Sequence, residues 1–383
     1  MGQSQYDVLR HHIEILGKVF EELGFKTCLI DLMDEKWSVK LNEAVSTEEI
    51  YFFLGLNGMG IEITSNEKSI YTLLNKPFMG CFGDSPIYHY DRLETGRTLN
   101  KDFIACFVDK NHINYVSNIH GNGFLKKFIA SCINTSIKSD PKPIRERKID
   151  ILFSGTYKDP DKIRESWIPL GKEINKLMIS ISEQGLYQTR KDLSEVAKEV
   201  IQYLGMDMGW IDKRKFAGVL VNIDEYVRNY RRKKVIESLT DVPLKLYGNG
   251  WEFLDLRNSK IEYCGPGNIL TTNKLMEETK IVLNVFPYWT NGIHERILNT
   301  IAKGAVSLSD NNSYLTRHFK EDKDILFYDF EDNISRIVNE KLENPVLLQE
   351  IVNSSKEKLL DHSLQSLAKE LIKIVDLHYF LSR

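Results

Sequence analysis

Cysteine is scarce in this chain and never paired by spacing: Cys28, Cys81, Cys106, Cys132 and Cys264 are odd in number and contain no CxxC. That excludes a disulfide framework and a cysteine-based zinc site, and it fits a reducing, cytoplasmic setting. A long apolar run is also missing. Nothing approaches the roughly 18 residues of a membrane span, and the opening MGQSQYDVLRHHIEIL lacks the basic end, apolar stretch and small-residue cleavage site of a secretory leader. Charge of one sign is lacking too. Lysine plus arginine (51) nearly balances aspartate plus glutamate (54), for a net charge of -3, so no global field recruits nucleic acid or an anionic membrane. Only a local basic patch, and with it peripheral membrane association, is left open. GLNGMG (55–60) misses the GxGxxG spacing and reads as a strand-end turn, which disfavours a dinucleotide enzyme. No repeat of solenoid period is present.

What is there is 383 residues, 42% hydrophobic and 27% charged, more than one core usually supports, so two domains are expected. Residues 9–23 carry apolar positions at helical spacing and lead through Gly24 into the strand-like KTCLIDL (26–32). No strand precedes that helix, so a first strand lies elsewhere or before residue 1. YFFLGLNG (51–58), PFMGCFG (77–83) and DFIACFVD (102–109) read as buried parallel strands. PKPIRERK (141–148) has the look of a linker, and IDILFSGTY (149–157) restarts the pattern. Residues 160–240 read as a helical insertion. LKLYGNG (244–250), IEYCGPG (261–267), IVLNVFP (281–287), AVSLSD (305–310) and ILFYD (325–329) then alternate with helices, and the end is helical. The expected fold is α/β: two Rossmann-like domains over 1–145 and 146–355 with a cleft between them, and a C-terminal helix over 356–383 that packs back on the first.

Ligands of open parallel sheets sit outside the carboxyl ends of the strands. The small residues there, Gly155-Thr156 and Gly248-Asn249-Gly250 after Tyr247, admit a close ligand approach. Trp251, next in line, either stacks on a base or fills the core. NGIHERILNTIAKGAVSLSDNN (291–312) is the most pointed stretch. Ile293, Ile297 and Ile301 form its packed face, while Asn291, Gly292, His294 and Arg296 gather at the amino end of a helix, where free N–H groups and the dipole favour an anion. Arginine there suits a diphosphate. Neutralisation of Arg296 by Glu295 is the plain alternative. In GDSPIYHYDRL (83–93), Asp84 is either a general base for a hydroxyl, with His89 nearby, or a turn cap. RNYRRKK (228–234) reads as the solvated side of a helix, and His112 and His120 as surface histidines, so no metal site is expected.

YGNGWE followed by LMEETKIVLNVFPYWTNGIHERILNTIAKGAVSLSDNNSYLTRHF resembles the C-terminal half of bacterial glycosyltransferases of GT-B architecture, in the group-1-like branch that includes the CgeB-type spore proteins. Gly292, His294, Arg296, Gly304, Ala305, Asp310, Tyr314, Leu315 and Phe319 carry the match, over about 225–330; SQYDVL and GDSPIYHY fit more loosely. The resemblance implies a cytoplasmic, metal-independent enzyme that uses a nucleotide-diphosphate sugar, UDP-sugar first, as co-substrate and has no cofactor. It implies an acceptor, whether surface protein, glycan or small molecule, held by the first domain. Gly248 to Trp251 would lie near the nucleoside, His294 and Arg296 at the diphosphate and sugar, Gly155-Thr156 along the phosphates, and Asp310 at ribose or sugar hydroxyls. Eight positions beyond Glu295 stands Lys303 where retaining members carry a second glutamate, so the stereochemical course is left open. A non-catalytic coat or scaffold protein that keeps the donor pocket is the rival reading.

Overall fold

The structure is a computed structural model that describes residues 8–134, 141–188, 190–206 and 212–382. The first seven residues, including most of SQYDVL, lie outside that set. The chain forms two compact units, one holding the residues up to Asn134 together with those from His362 onward, the other Thr135–Asp361.

In the first unit, α1 (Val8–Glu22) and α2 (Trp37–Thr47) precede β1 (Phe53–Leu56), a two-rung hairpin β2 (Thr64–Ser65) and β3 (Lys68–Ser69), and α3 (Ile70–Leu73). Then come β4 (Phe78–Phe82), α4 (Tyr90–Leu99), β5 (Phe103–Phe107), α5 (Lys110–His120) and β6 (Leu125–Phe128). The main sheet is parallel in the order β1-β4-β5-β6. Every residue of β4 and β5 is buried, as expected of parallel strands covered on both faces. The expected strand KTCLIDL is not one: residues 26–32 pair with no strand among the described residues. Cys28 and Leu29 are exposed, the segment is tied by the Arg10–Asp31 and Lys26–Glu48 ion pairs, and a cavity of about 400 Å³ separates it from β1. Apolar character without a partner edge does not make a strand. The chain's last helix, Leu364–Leu381, belongs to this unit. Ile133 N–H donates to the His362 carbonyl at 2.9 Å, Leu364 N–H to the Ile133 carbonyl at 3.1 Å, and Leu371, Ile374 and Val375 are buried.

The second unit opens with β7 (Ile149–Ser154). The insertion follows as α6 (Pro160–Glu165), α7 (Lys172–Tyr187), α8 (Leu193–Tyr203) and the long α9 (Lys213–Glu237). Next are β8 (Leu244–Tyr247), β9 (Glu262–Tyr263), α10 (Ile269–Met276), β10 (Thr279–Asn284), α11 (Glu295–Ala302), β11 (Val306–Asp310), α12 (Leu315–His318), β12 (Leu326–Tyr328), α13 (Ile334–Leu342) and α14 (Pro345–Ser355). The sheet is parallel in the order β12-β11-β10-β7-β8-β9. From β7 the chain builds outward through β8 and β9, then returns to the other side of β7 with β10. The loops after β7 and β10 therefore diverge at a topological switch point, where α/β sheets open a crevice for ligands. No helix among the described residues is long and apolar enough to cross a membrane.

Candidate functional site

On one side of the switch point the loops after β7 and β8 are laced together. Gly155 N–H donates to the Tyr247 carbonyl and Tyr157 N–H to the Asn249 carbonyl, both at 2.9 Å. Gly248 (φ +132°) and Gly250 (φ +93°) are needed for that approach: a Cβ would lie 2.2 Å from the Gly155 carbonyl oxygen in the first case and 1.9 Å from that of Tyr157 in the second. The sequence motif thus brings backbone to backbone. Trp251 takes the core-filling role rather than base stacking. It has no exposed surface, its ring stacks on Tyr157 at 4.6 Å between centroids, and its Nε1–H donates to the Gly155 carbonyl at 2.6 Å. Thr156 is half-buried at the rim, with its carbonyl accepting from Arg232.

Across the crevice, β10 ends at Asn284 and a buried loop leads to α11. The first turn of α11 is capped by His294, whose Nδ1 accepts from Arg296 N–H at 3.0 Å. The cap position belongs to His294, and Asn291 Oδ1 accepts from Arg317. Ile293, Ile297 and Ile301 are all buried, so Ile293 offers a ligand only its backbone. Because the Nδ1 of His294 is an acceptor, its proton sits on Nε2. Burial first, then Arg296 and Arg232, push the His294 pKa well below its ordinary value. This imidazole is a neutral hydrogen-bond donor near pH 7 and adds no charge.

Arg296 is held in three ways. Its stem rises from the first turn, its Nη1–H donates to Asn284 Oδ1 at 3.0 Å, and its guanidinium lies 5.6 Å from the Phe153 ring centroid. Its bonding partner is an amide and not Glu295, so the neutralised alternative is not what the structure contains. Nε and Nη2 donate to no group among the described residues. Burial lowers the Arg296 pKa, with Glu295 opposing, yet a guanidinium stays charged at neutral pH. Asn284 Nδ2–H in turn donates to Ser309 Oγ at 2.9 Å, and Ser309 Oγ–H lies 3.0 Å from the Asp310 carbonyl. Asp310, buried, accepts from Phe286 N–H at 2.9 Å, and burial raises its carboxyl to about 6. The void beside Asp310 and Arg231, about 10 Å³, is at the limit for a single water. Asp310 therefore braces the crevice loop through the Phe286 N–H. Asn312 braces it as well, donating to the Trp289 and Gly292 carbonyls at 3.2 and 3.0 Å.

The RNYRRKK stretch departs from its solvated reading. Arg231 is buried and its guanidinium donates to the carbonyls of Gly185, Leu186 and Gln188 at the end of α7, while Arg232 reaches Thr156. Asn229 Oδ1 accepts from Lys158 N–H at 2.8 Å. The inserted helix α9 thus closes one wall of the crevice and brings positive charge to it. Sequence reasoning did not single out Asn284 or Ser309, and it met Arg232 only as part of the RNYRRKK run. A polar residue ending the apolar run IVLN was the available signal for Asn284.

In the first unit, Asp84 follows β4. The cap position of the next turn belongs to Ser85, so Asp84 is not a cap. Its side chain is exposed; Oδ2 accepts from Asn57 Nδ2–H at 3.0 Å and lies 3.9 Å from Nε2 of the buried His89. Asn57 adopts a left-handed φ of +50° in the turn after β1, and its Oδ1 accepts from Gly83 N–H at 2.8 Å. His112 and His120, expected at the surface, are both buried. His120 Nδ1 is 3.0 Å from Glu94, and the His112 ring packs edge-on to Phe107, so each serves the helix–sheet core. Among the described residues no three His, Cys, Asp or Glu side chains are grouped to hold a metal ion.

Residues 230–373 match a protein-family model described as glycosyl transferase-like. Comparison with curated proteins by sequence finds no match. Among solved structures the chain is similar to the sucrose-phosphate synthase of Thermosynechococcus elongatus, with a TM-score of 0.55 and 8% identity over 97% of this chain and 93% of that one. It is likewise similar to a DNA-modifying β-glucosyltransferase solved in the presence and absence of uridine diphosphoglucose (TM-score 0.55, 11% identity, 98% and 97% covered). The Anabaena protein HepE in complex with UDP-glucose gives a TM-score of 0.50 at 8% identity, with 94% and 88% covered. At such identities the likeness is one of fold, the two Rossmann-like units of GT-B glycosyltransferases.

Proposed function

We propose that this protein is a glycosyltransferase that moves a sugar from a nucleotide-diphosphate sugar, a UDP-sugar first of all, to a hydroxyl-bearing acceptor. The observation that carries the reading is Arg296: a guanidinium at the amino end of a helix, at the switch point, bonded to an amide and to no carboxylate. A cation so placed is complete only with an anion. The family match spans this corner, and HepE and the β-glucosyltransferase were solved with UDP-glucose, which supports the same ligand class here. When the bond from the sugar's anomeric carbon to the diphosphate breaks, negative charge grows on the departing phosphate. Arg296 stabilises that charge and His294 donates from Nε2 without a second cation. Gly155-Thr156 and Tyr247 to Gly250 border the nucleotide side, with Asn291 and Gly292 at the sugar side. Asp84, oriented by Asn57, accepts the proton of the acceptor hydroxyl.

In this reading arginine supplies the charge that a metal supplies elsewhere, so chelation leaves turnover unchanged. The protein acts in the cytoplasm, where its five unpaired cysteines stay reduced. Its motif residues set it nearest the CgeB-type branch, with a surface protein, a cell-wall or capsular glycan, or a small molecule as acceptor. The non-catalytic scaffold reading is not favoured. Release of UDP from a panel of UDP-sugars, measured with and without candidate acceptors, tests the proposal. An active preparation that releases UDP from at least one donor supports it; binding without any release from any donor supports the scaffold instead.

A further inference from the structure

Granting the glycosyltransferase reading, one buried residue accounts for why Arg296 keeps its charge available. Asn284 is fully buried at the end of β10, and its side-chain amide bridges two neighbours. Arginine has donors and no acceptor, so the amide atom facing Nη1 is the oxygen, and the NH2 group is left for Ser309 Oγ at 2.9 Å. The network therefore fixes the amide's orientation. Ser309 is itself fully buried and bonded to the Asp310 carbonyl, and the Asn284 backbone carbonyl accepts from Tyr328 Oη–H at 2.9 Å. β10, β11 and β12 thus all anchor the group that holds the guanidinium.

The chemistry of that anchor matters more than its shape. An aspartate has the same outline and would accept from Arg296 equally well, but a carboxylate at 3.0 Å would neutralise the guanidinium inside a half-buried site, where ion pairing is strong. An amide aims the guanidinium without placing a carboxylate in hydrogen-bond contact with it. We infer that Asn284 is a positioning and specificity residue of the donor site: it orients Arg296 through a neutral acceptor so that the charge is reserved for the diphosphate of the nucleotide.

The test is titration of UDP and of uridine into wild-type protein and three variants. Asn284→Asp keeps the acceptor for Arg296, and the Ser309 hydroxyl can turn to donate to the new carboxylate in exchange for its bond to the Asp310 carbonyl, so the number of hydrogen bonds in the network falls by one. Its expected effect is a loss of UDP affinity of about 10- to 100-fold with uridine unchanged, the size of one charge-assisted bond. Ser309→Ala frees the amide to turn and should weaken UDP about threefold, again sparing uridine; it decides the matter if the aspartate variant does not fold. UDP binding at wild-type strength in Asn284→Asp, or in Ser309→Ala if that variant has to decide, overturns the role of Asn284, and so does a parallel loss of both ligands. Arg296→Ala separates this from the parent reading: if that variant leaves the ratio of UDP to uridine affinity unchanged, the donor-site reading falls as well.

Discussion

At the scale of single residues, the site is defined by side chains whose ordinary chemistry has been altered by burial. Asp310 is the plainest case. Its carboxyl is raised to about 6, chiefly because it is buried, against the lowering effects of Arg231 and the Phe286 N–H. The folded chain therefore holds more protons than the unfolded one between the usual carboxylate range and pH 6. The stability this contributes is fully present below the unfolded pKa and is lost as pH rises through about 6. Asp310→Asn keeps the acceptor for Phe286 N–H and removes the titration. Unfolding by urea should show the variant gaining on wild type by about 2 kcal/mol between pH 4.5 and 7, each pKa unit counting for about 1.4 kcal/mol. Parallel pH profiles would contradict the assignment. His294 acts in the opposite sense: its depressed pKa removes stability as pH falls below the usual imidazole range, equally in both proteins, so the comparison isolates Asp310. Asp84 stood out in the sequence because it directly follows an apolar strand, and His294 and Arg296 because they fall off the isoleucine stripe at the start of a helix. Asn284 and Ser309 did not, because an amide and a hydroxyl at strand ends are ordinary until their partners on neighbouring strands are known.

At the scale of elements, the crevice depends on strand-end loops that approach more closely than side chains allow. Gly250 is the sharpest instance. Alanine there must take a φ of +93° and set its Cβ against the Tyr157 carbonyl oxygen, which should cost about 2–4 kcal/mol. Gly218, exposed in the interior of α9 with open space at its Cβ position, is the contrasting site; Gly218→Ala should raise stability by roughly 0.5–1 kcal/mol. Urea midpoints check both, and similar effects at the two positions would refute the close-approach argument. Most strands of the second sheet were visible as short apolar runs bounded by glycine or aspartate. KTCLIDL shows the limit of that signal, since a strand needs a partner edge and the run does not announce one. α9 shows another: its arginines look solvated one by one, and only the end of α7 and the Thr156 loop beside them reveal what they bind.

At the scale of the whole molecule, the net charge of -3 says nothing of the site, because the positive charge is concentrated where α9 and α11 meet the switch point of one sheet. The closing helix is assigned by contacts and not by sequence position, and it completes the first unit. Deleting residues 362–382 removes the partner of Ile133 and the packing of Leu371 and Val375. Hydrogen exchange should then rise in α1 and β5 while β7, β10 and β11 keep their protection; uniform loss across both units would refute that division. The central claim concerns the second unit, and calorimetric titration of UDP against uridine in wild type and Arg296→Ala tests it most directly. The account predicts that the variant loses about 1.5–3 kcal/mol for UDP, the range of a hydrogen bond to a charged group, and nothing measurable for uridine. Equal losses for the two ligands, or none for either, would contradict it.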